Sequence, residues 1–432
     1  MIIDSKNENI ANVILSDDGT GAGIRIPSVM IGSKHISRKL SRSAVMQAVI
    51  KEGPISRASV AKQTGLSKQV VSEIVHILKD EGWVQETGRT KGHVGRTAVT
   101  YEIVPDAAYV YSVDLGGTKL RAAIVDLNCR VVAESVEPTN SFGGASIITQ
   151  IGRLCAAAAR KAGVVKDSVR FAVIGVPGVH DPADGSVQMA PNIPGIDTID
   201  FHSSVSVELG CDVVLENDVN LAALGEQWAG SGIDCDNLAF IAMGTGIGAG
   251  LILNGQLIRG AAGAAGELGY VAFGADPFDP ESLRVGAFER EAGSIALKTR
   301  YMALSGKSLG VPEIFNKANE GDENAKQVLR DTARLVARGI ATLAAITDPD
   351  IVVLGGSIGH RSELLMEIQT ALALCFPRPL RIETSKLGKH AALIGGAALG
   401  LSHLHHTLFA DGLAGVDMSL PELRAPDWEG AA

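Results

Sequence analysis

Asp114-Leu115-Gly116-Gly117-Thr118-Lys119 decides how this chain is read. Apolar residues over 109–113 form a strand pattern entering it. Residues 122–125 form a second strand leaving it, and Asp126-Leu127-Asn128 is the turn to a third. The same plan returns later. A strand over 238–242 meets the turn Gly244-Thr245-Gly246-Ile247-Gly248, then a strand over 249–253, then a turn at Asn254-Gly255 before another strand. Glycines at such turns let backbone N–H groups close on phosphate oxygens, because no Cβ stands in the way. Two matching hairpins predict two similar α/β lobes gripping the two ends of one phosphate chain.

Between the hairpins, 213–220 (VVLENDVN) reads as a strand running into a helix rich in alanine and leucine. Open α/β sheets place ligands at the carboxyl ends of their strands. Asp218 is read in two ways: as a base removing a proton from a hydroxyl that attacks a phosphate, or, with Asn217, as a cap for a helix starting at Asn220.

A hundred residues precede the first glycine turn, and their charge differs from the rest. Residues 1–105 carry 14 Lys and Arg against 10 Asp and Glu, whereas 106–432 carry 25 against 38, so the net charge of −9 hides a basic front. Within 34–105 the balance is 12 against 6, the footprint expected of a surface that meets phosphates. Three helical segments follow in order. The first spans 41–52 and is stopped by Gly53-Pro54; the second is capped by Ser56 and ends at Gly65; the third is capped by Ser67, with Val70, Val71, Ile74, Ile77 and Leu78 at helical spacing. Thr64-Gly65-Leu66-Ser67 is the tight turn of a helix-turn-helix. Ser67, Lys68, Gln69 and Ser72 then face outward at the start of the third helix, where a major groove is entered. A basic hairpin tip over 87–96 and a strand over 98–104 complete the pattern of a wing. The DNA-facing set is Arg57, Ser67, Lys68, Gln69, Ser72, Arg89, Lys91 and Arg96.

Aromatic residues make up only 4%, which argues against a base-stacking RNA surface. The five cysteines (129, 155, 211, 235 and 375) show no CxxC spacing and read as reduced residues of a cytoplasmic protein. MIIDSKNENI lacks the layout of a signal peptide, and no run of eighteen apolar residues is free of charges or glycine clusters, so neither export nor a membrane span is expected.

The body resembles the ROK (repressor, open reading frame, kinase) family. The resemblance rests on Asp114–Lys119, Gly175-Val176-Pro177-Gly178-Val179, Pro191-Asn192-Ile193-Pro194-Gly195 and Glu216–Asn220. It rests further on the signature over 244–269 (GTGIGAGLILNGQLIRGAAGAAGELG), on Leu354-Gly355-Gly356-Ser357, and on Ile394-Gly395-Gly396-Ala397-Ala398. The resemblance implies an actin-like, hexokinase-like ATPase fold of two α/β lobes behind the winged helix-turn-helix. The expected layout is a tail over 1–40, the head over 41–105, and a first lobe over 106–232 completed by about 390–410. A second lobe over 233–389 and a tail over 411–432 make up the rest. It implies that Asn192, Asn217, Asp218, Glu267 and Glu289 hold sugar hydroxyls. Asp114, Gly116, Gly117, Thr118, Lys119, Gly244, Thr245 and Gly246 would face phosphates, and Gly355 with Gly356 the adenosine.

One departure is large. The family holds a zinc with a histidine and three cysteines whose places fall here on Tyr270, Pro280, Ser282 and Ala287, so no zinc is expected. The replacement segment 275–280 (ADPFDP) is expected to pack as a proline-stiffened loop. Tyr270 either hydrogen-bonds the sugar or fills the space of the missing histidine. Together these residues predict a sugar-responsive transcriptional repressor. It would meet a double-stranded DNA operator and a sugar effector, be a homodimer or homotetramer, and require no cofactor. The second reading is an ATP- and magnesium-dependent sugar kinase with a DNA-binding head, in which Asp218 is the catalytic base.

Overall fold

The computed structural model describes residues 34–89, 98–181, 185–188, 190, 193–413, 418 and 420–423. The front unit contains α1 (Lys34–Glu52), β1 (Ile55–Ser56), α2 (Arg57–Thr64), α3 (Lys68–Asp80), β2 (Val84–Arg89) and β3 (Val99–Ile103). Helix α1 begins seven residues before the expected 41, because Leu40 still has apolar partners in the head core. The expected caps hold α2 and α3: Ser56 accepts from the Ser59 N–H and Ser67 from the Val70 N–H. Gly65 leaves α2 in the left-handed region at φ 70°, where L side chains are strained. Val71, Ile74, Val75 and Leu78 form the buried face of α3, while Val70, expected among them, is exposed at the first turn. β1, β3 and β2 form a small antiparallel sheet in that order. The tip joining β2 to β3, with Lys91 and Arg96, lies outside the described residues, as does the Arg89 side chain.

The body begins with the antiparallel meander β4 (Tyr109–Leu115), β5 (Lys119–Asp126) and β6 (Val131–Pro138), followed by α4 (Gly144–Ala162), β7 (Val169–Val176), a small hairpin of β8 (Val179–His180) and β9 (Val187–Gln188), α5 (Phe201–Leu209), β10 (Asp212–Asn217) and α6 (Asp218–Ala229). A second meander follows, β11 (Leu238–Met243), β12 (Ile247–Leu253) and β13 (Gln256–Leu257). After it come α7 (Pro280–Val285), α8 (Glu289–Ala292), α9 (Ser294–Ser305), α10 (Val311–Asn319) and α11 (Glu323–Thr347). The chain closes with β14 (Ile351–Gly355), α12 (Gly356–Gly359), α13 (Ser362–Cys375), β15 (Ile382–Thr384) and α14 (Ala391–Phe409).

The two large sheets have the same topology. One runs β10-β7-β4-β5-β6 and the other β13-β12-β11-β14-β15, each a three-strand meander extended by two parallel strands. The repeated glycine hairpins read from sequence are the first turns of these meanders. Five layers result. α4 and α5 cover the outer face of the first sheet, α6 and α14 fill the space between the sheets, and α9 to α13 cover the far face of the second. Ala222 and Ala223 of α6 pack on Phe240 and Val353 of the second sheet, while Leu221 turns toward Val110 and Phe171 of the first. Small residues in α6 let one helix serve both lobes.

Candidate functional site: the interlobe cleft and the head surface

A cleft of about 270 Å³ opens where the carboxyl end of β10 meets the turn between β11 and β12. Asn217, Asp218, Gly246, Glu267, Tyr270 and Glu289 are among the residues that line it. The two sequence readings of Asn217 and Asp218 divide between the residues. Asn217 is the cap: its Oδ1 accepts from the N–H groups of Val219 (2.9 Å) and Asn220 (3.1 Å), and its Nδ2 donates to the Gly178 carbonyl (2.9 Å). Helix α6 therefore starts at Asp218 rather than at Asn220. Asp218 is left facing the cleft.

Carboxylates crowd this space, and burial raises all of them. Asp218 is pushed up to about 7 by burial and then by the Asp114 charge, with Glu267 adding to it and the Val219 and Asp218 backbone N–H groups pulling the other way. Asp114 rises to about 6 through burial, opposed by Arg121 and His390. Glu267 and Glu289 are likewise raised by burial, although the Ile247 N–H donates to Glu289 at 2.8 Å. Gly246 leaves room for that bond: a Cβ there would stand 2.9 Å from Glu289 Oε2, which would have to shift.

Not every expected residue lines the cleft. Gly244 and Gly356 do, and Thr245 is exposed on the same turn as Gly244. Gly117, Thr118 and Lys119 are exposed on the first glycine turn, which is braced by the Thr139 hydroxyl donating to the Gly116 carbonyl at 2.6 Å. Gly355 is buried at the end of β14, where a Cβ would run into the Phe240 ring, so its smallness serves packing. Asn192 lies outside the described residues.

An ion pair across the lobes was not found from sequence. Glu216, nearly buried on β10, accepts from Arg259 Nε (2.6 Å) beyond β13, and from Asn220 Nδ2 (2.9 Å) and the Asn217 N–H (3.0 Å). Glu216 stands in VVLENDVN and Arg259 in GQLIRGAAG, and neither stretch names the other as its partner.

The segment expected to be a loop over 275–280 continues into a helix. Asp279 caps α7 and Pro280 opens it, which suits proline at a first helical position. Arg290 donates to the buried Ser282 Oγ (2.7 Å) and pairs with Asp279 (3.1 Å). These residues do not fit a zinc ion: Pro280 and Ala287 offer no side-chain ligand, and the Ser282 oxygen is engaged by Arg290. Among the described residues no group of three or more His, Cys, Asp or Glu is placed to hold a metal. The Tyr270 hydroxyl donates to the Arg284 carbonyl at 3.2 Å, tying the short turn over 268–270 to α7, while the residue itself is exposed and lines the cleft.

On the front unit, Ser67, Lys68 and Gln69 are exposed at the start of α3. Ser72 accepts from Arg57 at 2.8 Å, and the Arg57 guanidinium lies 5.7 Å from the Tyr101 ring centre. Arg57 is exposed, as expected, while its guanidinium also ties α2 to α3 and lies over β3. Among the described residues no helix is long and apolar enough to cross a membrane.

Two topologically equivalent sheets sharing one carboxylate-lined cleft define a two-lobed, hexokinase-like body. The chain belongs to the ROK family, whose model matches residues 110–402. It is 26% identical over 395 residues to a xylose repressor of Caldicellulosiruptor bescii, covering 87% of this chain and 98% of that one. It is 30% identical over 309 residues to an N-acetyl-D-glucosamine kinase of Salmonella paratyphi B, covering 68% of this chain and 99% of the kinase. The solved structure of a ROK family transcriptional regulator, a homologue of the E. coli MLC protein, shares the fold with a TM-score of 0.70 over 87% of this chain and 98% of that one, at 23% identity.

Proposed function

We propose that this protein is a sugar-responsive transcriptional repressor of carbohydrate uptake or catabolism genes. The observation that carries the reading is the union of two features in one chain: a cleft of carboxylates between two lobes, and a basic front unit with the start of α3 exposed. The front unit acts as a winged helix-turn-helix, with α3 entering the major groove and the β2–β3 hairpin as the wing. The lobes divide as 106–232 with 390–410, and 233–389. Relatives of this length carry the name xylose repressor, which agrees with this assignment. The working protein is a cytoplasmic homodimer or homotetramer that presents paired heads to a double-stranded operator.

In the cleft, Asp218, Glu267 and Glu289, with Asn217 beside them, take a sugar or sugar phosphate; Asn192, outside the described residues, keeps the sugar role that the family resemblance implies. Carboxylates suit adjacent hydroxyls because each accepts strong, directional hydrogen bonds. A ligand that prefers one closure of the lobes shifts the DNA equilibrium by its differential affinity.

A second reading, ATP-dependent sugar phosphorylation, is favoured by one observation: Asp218 is retained at the cleft with its carboxyl held near 7, where a general base works well at neutral pH. The two glycine turns fit a nucleotide, with Gly116, Gly117, Thr118 and Lys119 on one side, Gly244, Thr245 and Gly246 on the other, and Gly356 near the adenosine. The nucleotide would supply the phosphoryl group, and Asp218 would take the proton from the sugar hydroxyl. Operator binding titrated with D-xylose and N-acetyl-D-glucosamine separates the readings. A response kept in Asp218→Asn and lost in Glu267→Ala supports the sensor. A response that needs ATP and vanishes in Asp218→Asn, with sugar binding intact, supports the kinase.

A further inference from the structure

Helix α14 touches the head directly and reaches the cleft through α6. Its first half lies against α6, the helix that begins at Asp218, with no slack between them. A Cβ on Gly395 would run into the Leu221 carbonyl, and one on Gly225 into the Ala391 carbonyl. The Ser112 hydroxyl also donates to the Leu393 carbonyl at 2.6 Å, fixing the start of α14 to β4. Backbones this close move as one body, since any shear between them would need a gap that close packing does not leave.

Beyond Gly395, fourteen residues carry α14 roughly 21 Å away from that contact. There Phe409, almost fully buried, meets Trp83 of the head edge to face, with ring centres 5.5 Å apart. Trp83 is the joint of the head. Its N–H donates to the Leu78 carbonyl in the last turn of α3, and its carbonyl accepts from the Val104 N–H just beyond β3. It also precedes β2 directly. One residue thus holds the end of α3 and the base of the hairpin, and the ring pressed against it belongs to the helix packed on α6, whose first residues line the cleft.

We propose that Phe409 and Trp83 are the positioning residues through which the state of the cleft reaches the DNA surface, with α6 and α14 as a stiff link between them. This rests on the repressor reading. Ligand contact with Asp218 shifts α6, α14 follows as a rigid body, and the Phe409 ring re-aims α3 relative to the β2–β3 hairpin. Coupling of this kind is a free energy between two sites, so it can be removed while both sites keep their own affinities.

The test uses the full chain, a duplex selected from a random pool by the wild-type protein, and D-xylose and N-acetyl-D-glucosamine as probes. Phe409→Leu and Trp83→Phe should each keep sugar affinity and sugar-free DNA affinity within about threefold of wild type. The sugar-induced change in DNA affinity should fall to about a third or less of its wild-type value. The wild-type fold-change persisting in both variants would overturn the link while leaving the repressor reading intact. No response of the wild type to either sugar would overturn both. A second readout needs no change at the joint: in a Trp228→Phe, Trp428→Phe chain, Trp83 emission should shift on adding the sugar that alters DNA binding. An unchanged spectrum alongside an intact DNA response would overturn the proposal.

Discussion

Replacing Asp218 by asparagine should make the protein more stable above neutral pH. An ordinary aspartate loses its proton near 3.8, whereas in the cleft Asp218 is pushed up to about 7, first by burial and then by the neighbouring Asp114 charge. Each unit of that gap corresponds to about 1.4 kcal/mol, so ionising Asp218 in the folded chain costs about 4 kcal/mol that the unfolded chain does not incur. Below 3.8 both states hold the proton and the penalty is absent. Between 3.8 and 7 the folded state binds more protons, so stability falls as pH rises; above 7 the whole penalty is present. Asparagine keeps the shape and has no charge to desolvate. The stability gained by Asp218→Asn should therefore be near zero around pH 4 and reach about 2–4 kcal/mol at pH 8, the lower figure allowing for water at a half-buried carboxylate. Urea unfolding followed by far-ultraviolet circular dichroism across that range measures it. A gain that stays flat with pH, or a loss at pH 8, would refute the claim that this carboxyl ionises reluctantly.

Replacing Lys68 and Gln69 by alanine should weaken binding to a selected duplex by about 1–3 kcal/mol per lost base contact and relax sequence preference, measured by competition with scrambled DNA. Arg259→Ala should destabilise the chain by about 1–3 kcal/mol, because Glu216 keeps Asn220 and the Asn217 N–H but loses its charged partner. Adding Glu216→Gln should restore part of that loss in a double-mutant cycle. Gly246→Ala should push Glu289 away from the Ile247 N–H and weaken sugar binding, read by calorimetry, while DNA binding without sugar is unchanged. Elemental analysis of the purified protein should find no stoichiometric zinc, and a chelator should leave its melting temperature unmoved.

Much of the body was legible because its signals are local. The glycine turns at 116–118 and 244–248, the caps at Ser56 and Ser67 and the strand ending at Asn217 all depend on neighbours in sequence. What escaped notice depends on partners far along the chain. Nothing near 216 announces that Arg259 reaches it from the other lobe, nor does the sequence around Arg57 show that its guanidinium will engage Ser72 and lie over Tyr101. Helix α1 was started late because its first turns are polar, and the cover for Leu40 comes from residues elsewhere in the fold. Gly355 carries a further constraint that its neighbours in sequence do not announce: a Cβ there would run into the Phe240 ring.

The core that the head shares with α14 bears on how the protein is made. Val45, Val84 and Ile103 belong to one apolar cluster with Leu401, Leu404 and Phe409, and Ser43 touches Met418, 375 positions away. A ribosome working at about 5–20 residues per second needs roughly 15–60 s to pass from the last strand of the head to that helix. Throughout that interval the nascent head lacks the surface it is meant to rest on. Its apolar underside is then a site for chaperones or for mispairing with another unfinished chain. Only a finished chain gives the head its complete footing, so truncated products of translation would be poor competitors for the operator.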